Sequence, residues 1–313
     1  MADRTVPLME YAESEKFYQD LMGGFRDVGL TCAITSGMAC VHYGVAHTTS
    51  DCDILCSSDH LDQAIAVLAG ARCEGAPTSY RGTLSAPLDR PWLLGGWTSH
   101  FEWKGSGAYL DIFTVPPRST APWTRELRGL YAGLHTVAEM KRTQRDRDWP
   151  VATALGVRML EEGDLRGWMH LFDTDVIQEL VERVPCPDEV LRDRPSLQLA
   201  LMRDARLRPV LRVEREFWYE LDRQRLAIYH QAGRHYAQAV RQSPGFSGED
   251  LAQQHSARLA LAIQYLPPNP LRDHGVDRLI TGVREALGGL FDPALLAWLP
   301  DPRPAFAELD ASE

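Results

Sequence analysis

The 313-residue chain contains no apolar run near the roughly 20 residues that a bilayer-spanning helix needs. Met1 to Glu10 also lacks the basic stretch followed by an apolar one that marks a secretory leader. A cytoplasmic protein with no membrane partner is therefore expected. Basic charge is in deficit: 33 Lys and Arg stand against 43 Asp and Glu, a formal net charge of −10. Gripping nucleic acid by phosphate neutralisation takes a basic excess or a strong local patch. Nucleic acid is disfavoured as a partner on this ground, and a small molecule or a protein is favoured. Internal repeats and low-complexity tracts are absent, while 44% hydrophobic residues are ample for a packed core. Cysteine is sparse. Cys32, Cys40, Cys52, Cys56, Cys73 and Cys186 fall mostly inside apolar strand or helix patterns, as buried thiols do in a reducing compartment. A zinc set drawn from Cys52, Cys56, His42, His47 and His60 is discounted, because C-x-x-x-C within a strand lacks a second knuckle.

What the chain does have is carboxylate in apolar strands. Asp51 to Cys56 has the length and composition of one buried strand. Alternation puts Asp51 and Asp53 on one face and Cys52, Ile54 and Cys56 on the other, with the two carboxylates about 7 Å apart. Unpaired beside an apolar run they repel, and buried charge persists only when paired or bound to metal. Asp111 lies in an equally apolar strand, sharing a face with Phe113 and opposed by Leu110 and Ile112. Three converging carboxylates suit Mg²⁺, which takes hard oxygen ligands and leaves positions for substrate phosphates. Upstream, Cys32 to Ser36 reads as a short strand and Ser36-Gly37 as a tight turn into a helix from Met38 to Gly44. Such a turn presents backbone N–H groups to an anion, and Gly37 permits close approach.

These residues resemble the nucleotidyltransferase superfamily, the fold of polymerase beta, of the antibiotic-modifying nucleotidyltransferases and of minimal toxin-system enzymes. The match rests on Ser36-Gly37, then HYGVAHTTSDCDIL, then YLDIF, and is nearest the branch patterned G-G-x-A, H-G, T-x-D-x-D. It covers roughly residues 10 to 160. Ser36 replaces the usual first glycine, and His47 stands where the branch often carries arginine. The resemblance implies that Asp51, Asp53 and Asp111 hold one or two Mg²⁺ ions and are the catalytic residues. It also implies that Ser36, Gly37 and Ser50 contact the triphosphate, and that a nucleoside monophosphate moves from a nucleoside triphosphate to an acceptor hydroxyl. Two other readings stay open: a toxin-type enzyme modifying tRNA or protein, helped by a patch of Arg142, Arg145 and Arg147, and a degenerate module that binds nucleotide without turnover.

The flanking segments give an expected fold class of α+β. A nucleotidyltransferase-like mixed β-sheet flanked by helices spans residues 1–162, and an all-α domain spans 163–313. Helices are expected at Ser14–Val28 and Asp59–Leu68. A hairpin is expected from Trp97 through Gly105-Ser106-Gly107 to Val115, delivering Asp111 to the sheet. Thr136 with Glu139 reads as a capping box opening a helix that runs to Asp148, with Lys141 and Arg145 on one face. That segment, EMKRTQRDRDWP, resembles the lysine and Arg-x-x-Asp that follow the third carboxylate in the same branch, so Lys141 and Arg145 are assigned to the phosphates. Taken alone, the segment reads sooner as a solvated basic helix face with i,i+4 pairs, and only beside a triphosphate site do the two readings weigh equally. Only Lys16 and Lys104 accompany Lys141 among the lysines, which hints that a compact point charge is wanted there. Beyond Glu162 the apolar periodicity is helical throughout, including one long helix from Val210 to Gln242 striped by Phe217, Leu221, Ile228, Ala232 and Tyr236. The acidic tail after Pro302 is expected to fray.

Overall fold

A computed structural model describes residues 11–49, 51–119, 122–243, 250–307 and 309. The first half alternates helices and strands: α1 (Tyr11–Asp27), β1 (Cys32–Thr35), α2 (Ser36–His42), β2 (Asp51–Cys56), α3 (Leu61–Gly70), β3 (Arg72–Cys73), β4 (Ala76–Tyr80), α4 (Arg90–Leu94), β5 (Ser99–Trp103) and β6 (Ala108–Phe113). The strands form one six-stranded sheet in the order β1-β2-β6-β5-β4-β3. It is mixed: β2 and β6 run parallel, and every other neighbour is antiparallel. Helices α5 (Leu134–Met140) and α6 (Asp148–Glu161) follow, and then an all-helical region. The α+β expectation holds at that level.

Burial explains why β2 and β6 are interior strands. Cys52, Ile54, Leu110 and Ile112 are buried and belong to one apolar core with Tyr18, Leu21, Met22 and Phe25 of α1 and Leu61, Ala64 and Leu68 of α3. The leucines, isoleucines, methionine and phenylalanine among them each contribute roughly 1.5–3 kcal/mol when fully buried. The opposite face of the two strands carries the aspartates. Tyr18 ties α1 to β6, its hydroxyl donating to the Tyr109 carbonyl and accepting from the Tyr109 N–H.

The helical region comprises α7 (Thr174–Leu180), α8 (Asp188–Asp193), α9 (Ser196–Leu201), α10 (Leu207–Ala232), α11 (Arg234–Gln242), α12 (Leu251–Tyr265), α13 (Pro270–His274), α14 (Val276–Gly288) and α15 (Pro293–Leu296). The change at residue 162 is one of element type, and packing runs straight across it. Trp92, Trp97, Val115 and Trp149 share a core with Phe217, Leu221, Leu279 and Val283. Trp92 and Trp97 donate their indole N–H groups to the carbonyls of Leu266 and Pro267. Arg258 donates to the carbonyls of Ser85 and Gly82. A buried ion pair joins Arg118, just after β6, to Asp222 of α10.

Several expectations are corrected. The single helix over Val210–Gln242 is two, starting at Leu207 and divided at Gly233. A side chain at Gly233 would run into Leu84 and Trp97, so the helix passes the sheet half there at backbone distance. Thr136 is not a helix cap: it lies inside α5, which opens after Gly133, and its hydroxyl is buried without a partner among the described residues. Glu139 accepts from Ser119 instead. The helix expected to run on to Asp148 stops at Met140, because the following backbone is captured by side chains. Asp222 accepts from the Gln144 N–H, and Thr143 accepts from the Arg145 N–H while donating to Asp148, the competition that makes Thr and Asp favour caps over helix interiors. The tail does not fray throughout, since Ala305, Phe306 and Leu309 are buried and Asn269 donates to the Leu309 carbonyl. Among the described residues no helix is long and apolar enough to cross a membrane.

Candidate active site

The parallel register of β2 and β6 pairs Asp53 directly with Asp111. Residues opposite each other in register point to the same face of a sheet, so both carboxylates project together, with Asp51 two residues before Asp53 on that face. The row extends in both directions. Thr35, the last residue of β1, is opposite Asp53, and His100 of β5 is opposite Asp111. Arg81 follows β4 and continues the row, its N–H bonding the His100 carbonyl. Asp111 is held from that side: Arg81 Nη2 lies 2.6 Å and His100 Nδ1 2.7 Å from its Oδ1. Arg81 also lies over the Tyr109 ring, 5.1 Å from the centroid.

These contacts divide the two carboxylates electrostatically. Burial works against ionisation of Asp111, but the hydrogen bond and field of His100, and then Arg81, outweigh it and hold its pKa below the usual carboxylate value. Asp53 is pushed up to about 6, first by burial and then by the charge of Asp111, with the Ser36 hydroxyl and Lys141 pulling the other way. Adjacent carboxylates that cannot both ionise freely behave this way, and a divalent cation against them removes the conflict. The donors are hard oxygens of the kind Mg²⁺ takes. Cys52, on the other face, is a buried thiol whose pKa burial raises well above its ordinary value.

Beside the carboxylates, Ser36 is the first residue of α2 and has a left-handed backbone, φ 53°, a conformation that favours glycine. Its hydroxyl bonds Asp53, so the residue at the head of α2 supports a carboxylate. Gly37 is a point of close approach, and what approaches is protein: a Cβ there would collide with the Thr49 side chain. Ser50 lies outside the described residues. Lys141 and Arg145 do not share a helix face as expected; they converge from the end of α5 and the loop beyond it on the buried carboxylate of Asp148. Lys141 Nζ is 3.5 Å from Oδ1, and Arg145 Nη2 is 2.9 Å from Oδ2. Lys141 is close enough to lower the pKa of Asp53. Arg142, read from sequence as part of a surface patch, is buried; it bonds His170 and the Met169 carbonyl and stacks on Trp218.

No protein-family model, curated protein or solved structure matches the chain. The site's reading therefore rests on its own residues. Among the described residues, no group of three or more His, Cys, Asp or Glu side chains is gathered as a ready cation site, which fits Asp111 being turned to Arg81 and His100. Those two residues were missed in the sequence, although one signal pointed to the histidine. Counting back from the Gly105-Ser106-Gly107 turn, with Trp103 opposite Ala108, places His100 opposite Asp111. Nothing in the sequence around Arg81 marks it.

Proposed function

We propose that this chain is a Mg²⁺-dependent nucleotidyltransferase of the polymerase beta-like fold, which moves a nucleoside monophosphate from a nucleoside triphosphate to an acceptor hydroxyl. The observation that carries this reading is Asp53 and Asp111 side by side in register on parallel strands, at the end of which the Ser36-Gly37 turn opens a helix. Asp53, Asp51 and Asp111 are the residues that would hold the cation. When bound, Mg²⁺ supplies compensation for charge on the transferring and departing phosphates. The chain's own residues do the rest. Lys141, anchored on Asp148, faces the carboxylates as a point charge for the β- and γ-phosphates, and Arg145 extends that positive side outward. The acceptor oxygen forms a bond to the α-phosphorus, the bond from that phosphorus to the bridging oxygen breaks, and pyrophosphate leaves with the electron pair. Asp111, ionised and positioned by Arg81 and His100, is placed to take the hydroxyl proton. Most of the catalysis is then positioning and charge compensation.

A second reading has its own observation. Asp111 is already satisfied by Arg81 and His100, as suits a module that binds nucleotide without turnover. Isothermal titration with a non-hydrolysable nucleoside triphosphate, with and without Mg²⁺, tests the site both readings share, and pyrophosphate release from a hydrolysable one offered hydroxyl acceptors separates them. The transferase reading requires Mg²⁺-dependent binding that Asp53→Asn abolishes, together with that release. Mg²⁺-dependent binding without release supports the second reading, and binding that ignores both Mg²⁺ and the substitution removes the first.

A further inference from the structure

A narrow cleft of about 140 Å³ lies between the sheet and α10, lined by Trp97, His100, Phe113, Val115, Arg225 and Tyr229 among others. It adjoins the carboxylates. Phe113 is two residues beyond Asp111 on the same strand face, about 7 Å along, and His100, whose Nδ1 is committed to Asp111, forms part of the wall. The volume is well under the roughly 300–1,000 Å³ of sites that enclose drug-sized ligands. Whatever enters is compact.

Apolar and aromatic side chains make up most of the wall, with Thr98, His100 and His230 among them, and Arg225 is its one permanently charged residue. Arg225 is buried and gives Nε and Nη2 to Asp222, at 3.3 and 2.9 Å. The same Asp222 oxygen also receives Arg118. Two guanidinium groups share one carboxylate, and Arg225, whose Nε and Nη2 are engaged there and whose guanidinium lies 5.8 Å from the Tyr229 ring centroid, turns its remaining side to the cleft wall. An anionic group in the cleft would complete the set, since guanidinium pairs with carboxylate through strong charge-assisted hydrogen bonds.

We infer that this cleft is the acceptor subsite and that the acceptor is a small hydroxylated carboxylic acid, its carboxylate on Arg225 and its hydroxyl directed toward Asp111. This rests on the transferase reading for the identity of the cleft as an acceptor site. In the transfer the acid's hydroxyl oxygen bonds to the α-phosphorus, pyrophosphate departs and the proton passes to Asp111, leaving the carboxylate unchanged. The aromatic walls favour a flat body, so the probes are 4-hydroxybenzoate and its methyl ester.

Isothermal titration of both probes into the wild-type chain, Arg225→Gln and His230→Trp tests it, with nucleotide titrated separately into the wild type. His230 is exposed and lines the cleft, so tryptophan there narrows the entrance without disturbing the core, whether or not Arg225→Gln folds. The expected result is acid binding at least about tenfold tighter than ester binding, lost in both variants. Equal binding of acid and ester, or acid binding untouched by His230→Trp, overturns the assignment. Acid binding without any Mg²⁺-dependent nucleotide binding overturns the acceptor role and the transferase reading together, while nucleotide binding with no acid binding overturns the cleft alone.

Discussion

Asp53→Asn should stabilise the metal-free protein near neutral pH, although it removes a polar contact. The carboxyl of Asp53 is raised from 3.8 to about 6 by burial and by ionised Asp111. Each unit of pKa shift corresponds to about 1.36 kcal/mol, so ionising Asp53 in the folded state costs up to about 3 kcal/mol. The group is only half-buried, so solvent reduces this. Asparagine also gives up the charge-assisted part of the Ser36 bond, worth roughly 1 kcal/mol. A net gain of about 1–2 kcal/mol remains. The sign follows from the direction of the shift. A raised carboxyl favours the fold below its unfolded pKa, and the advantage disappears as pH climbs through the folded value. The gain from the substitution should therefore be full near neutral pH, about half at pH 5 and absent below about pH 4. Urea unfolding of wild type and variant without divalent ions, at those pH values, measures it. A variant less stable than wild type at neutral pH, or a gain that does not change with pH, would refute the carboxylate conflict on which the cation site is argued.

Lys141→Ala should weaken binding of a non-hydrolysable triphosphate about tenfold or more, equally for every nucleobase, because a charge-assisted contact is worth roughly 1.5–3 kcal/mol; unchanged affinity by titration would make Lys141 scaffold. The fold should survive, since Asp148 keeps Thr143 and Arg145. Gly37→Ala should cost about 1–3 kcal/mol in urea unfolding through its collision with Thr49, and a neutral result would show that the turn has room to spare. Arg118→Met removes one of two guanidinium groups on Asp222 and the bond to the Met140 carbonyl, and should destabilise the protein by about 1–3 kcal/mol, because Arg225 still compensates the carboxylate. Loss of the helical region's signal ahead of the rest of the unfolding transition would argue against packing continuous across residue 162.

Strand periodicity and turn residues made the carboxylate-bearing half legible. Asp51 to Cys56 is a strand to the residue, and the alternation of Asp53 against Cys52 and Ile54 follows from a period of two that burial enforces. The hairpin was readable because Gly105 and Gly107 punctuate two apolar runs. What escaped was tertiary. Thr136 and Glu139 have the spacing of a capping box, yet both are buried inside α5, and Glu139 answers a side chain from another loop. The break after Met140 depends on Asp222, far along the chain, accepting a backbone N–H from Gln144. Arg81 reaches Asp111 only because β4, β5 and β6 lie side by side and set it at the end of the row. Apolar stripes placed the helices of the second half, but the partition at Gly233 comes from what that residue meets across the fold.

The central claim is that Asp53 and Asp111 bring a divalent cation to the α-phosphate of a bound nucleoside triphosphate. Substituting Mn²⁺ for Mg²⁺ and recording phosphorus NMR of a non-hydrolysable triphosphate on the protein tests this directly, since the paramagnetic ion broadens the phosphorus nuclei nearest to it. The account predicts broadening of the α-phosphorus on the wild-type chain beyond that in the ion–nucleotide complex free in solution, and loss of that excess in Asp53→Asn and Asp111→Asn. Broadening no greater than in the free complex, or an excess that persists in both variants, would contradict it.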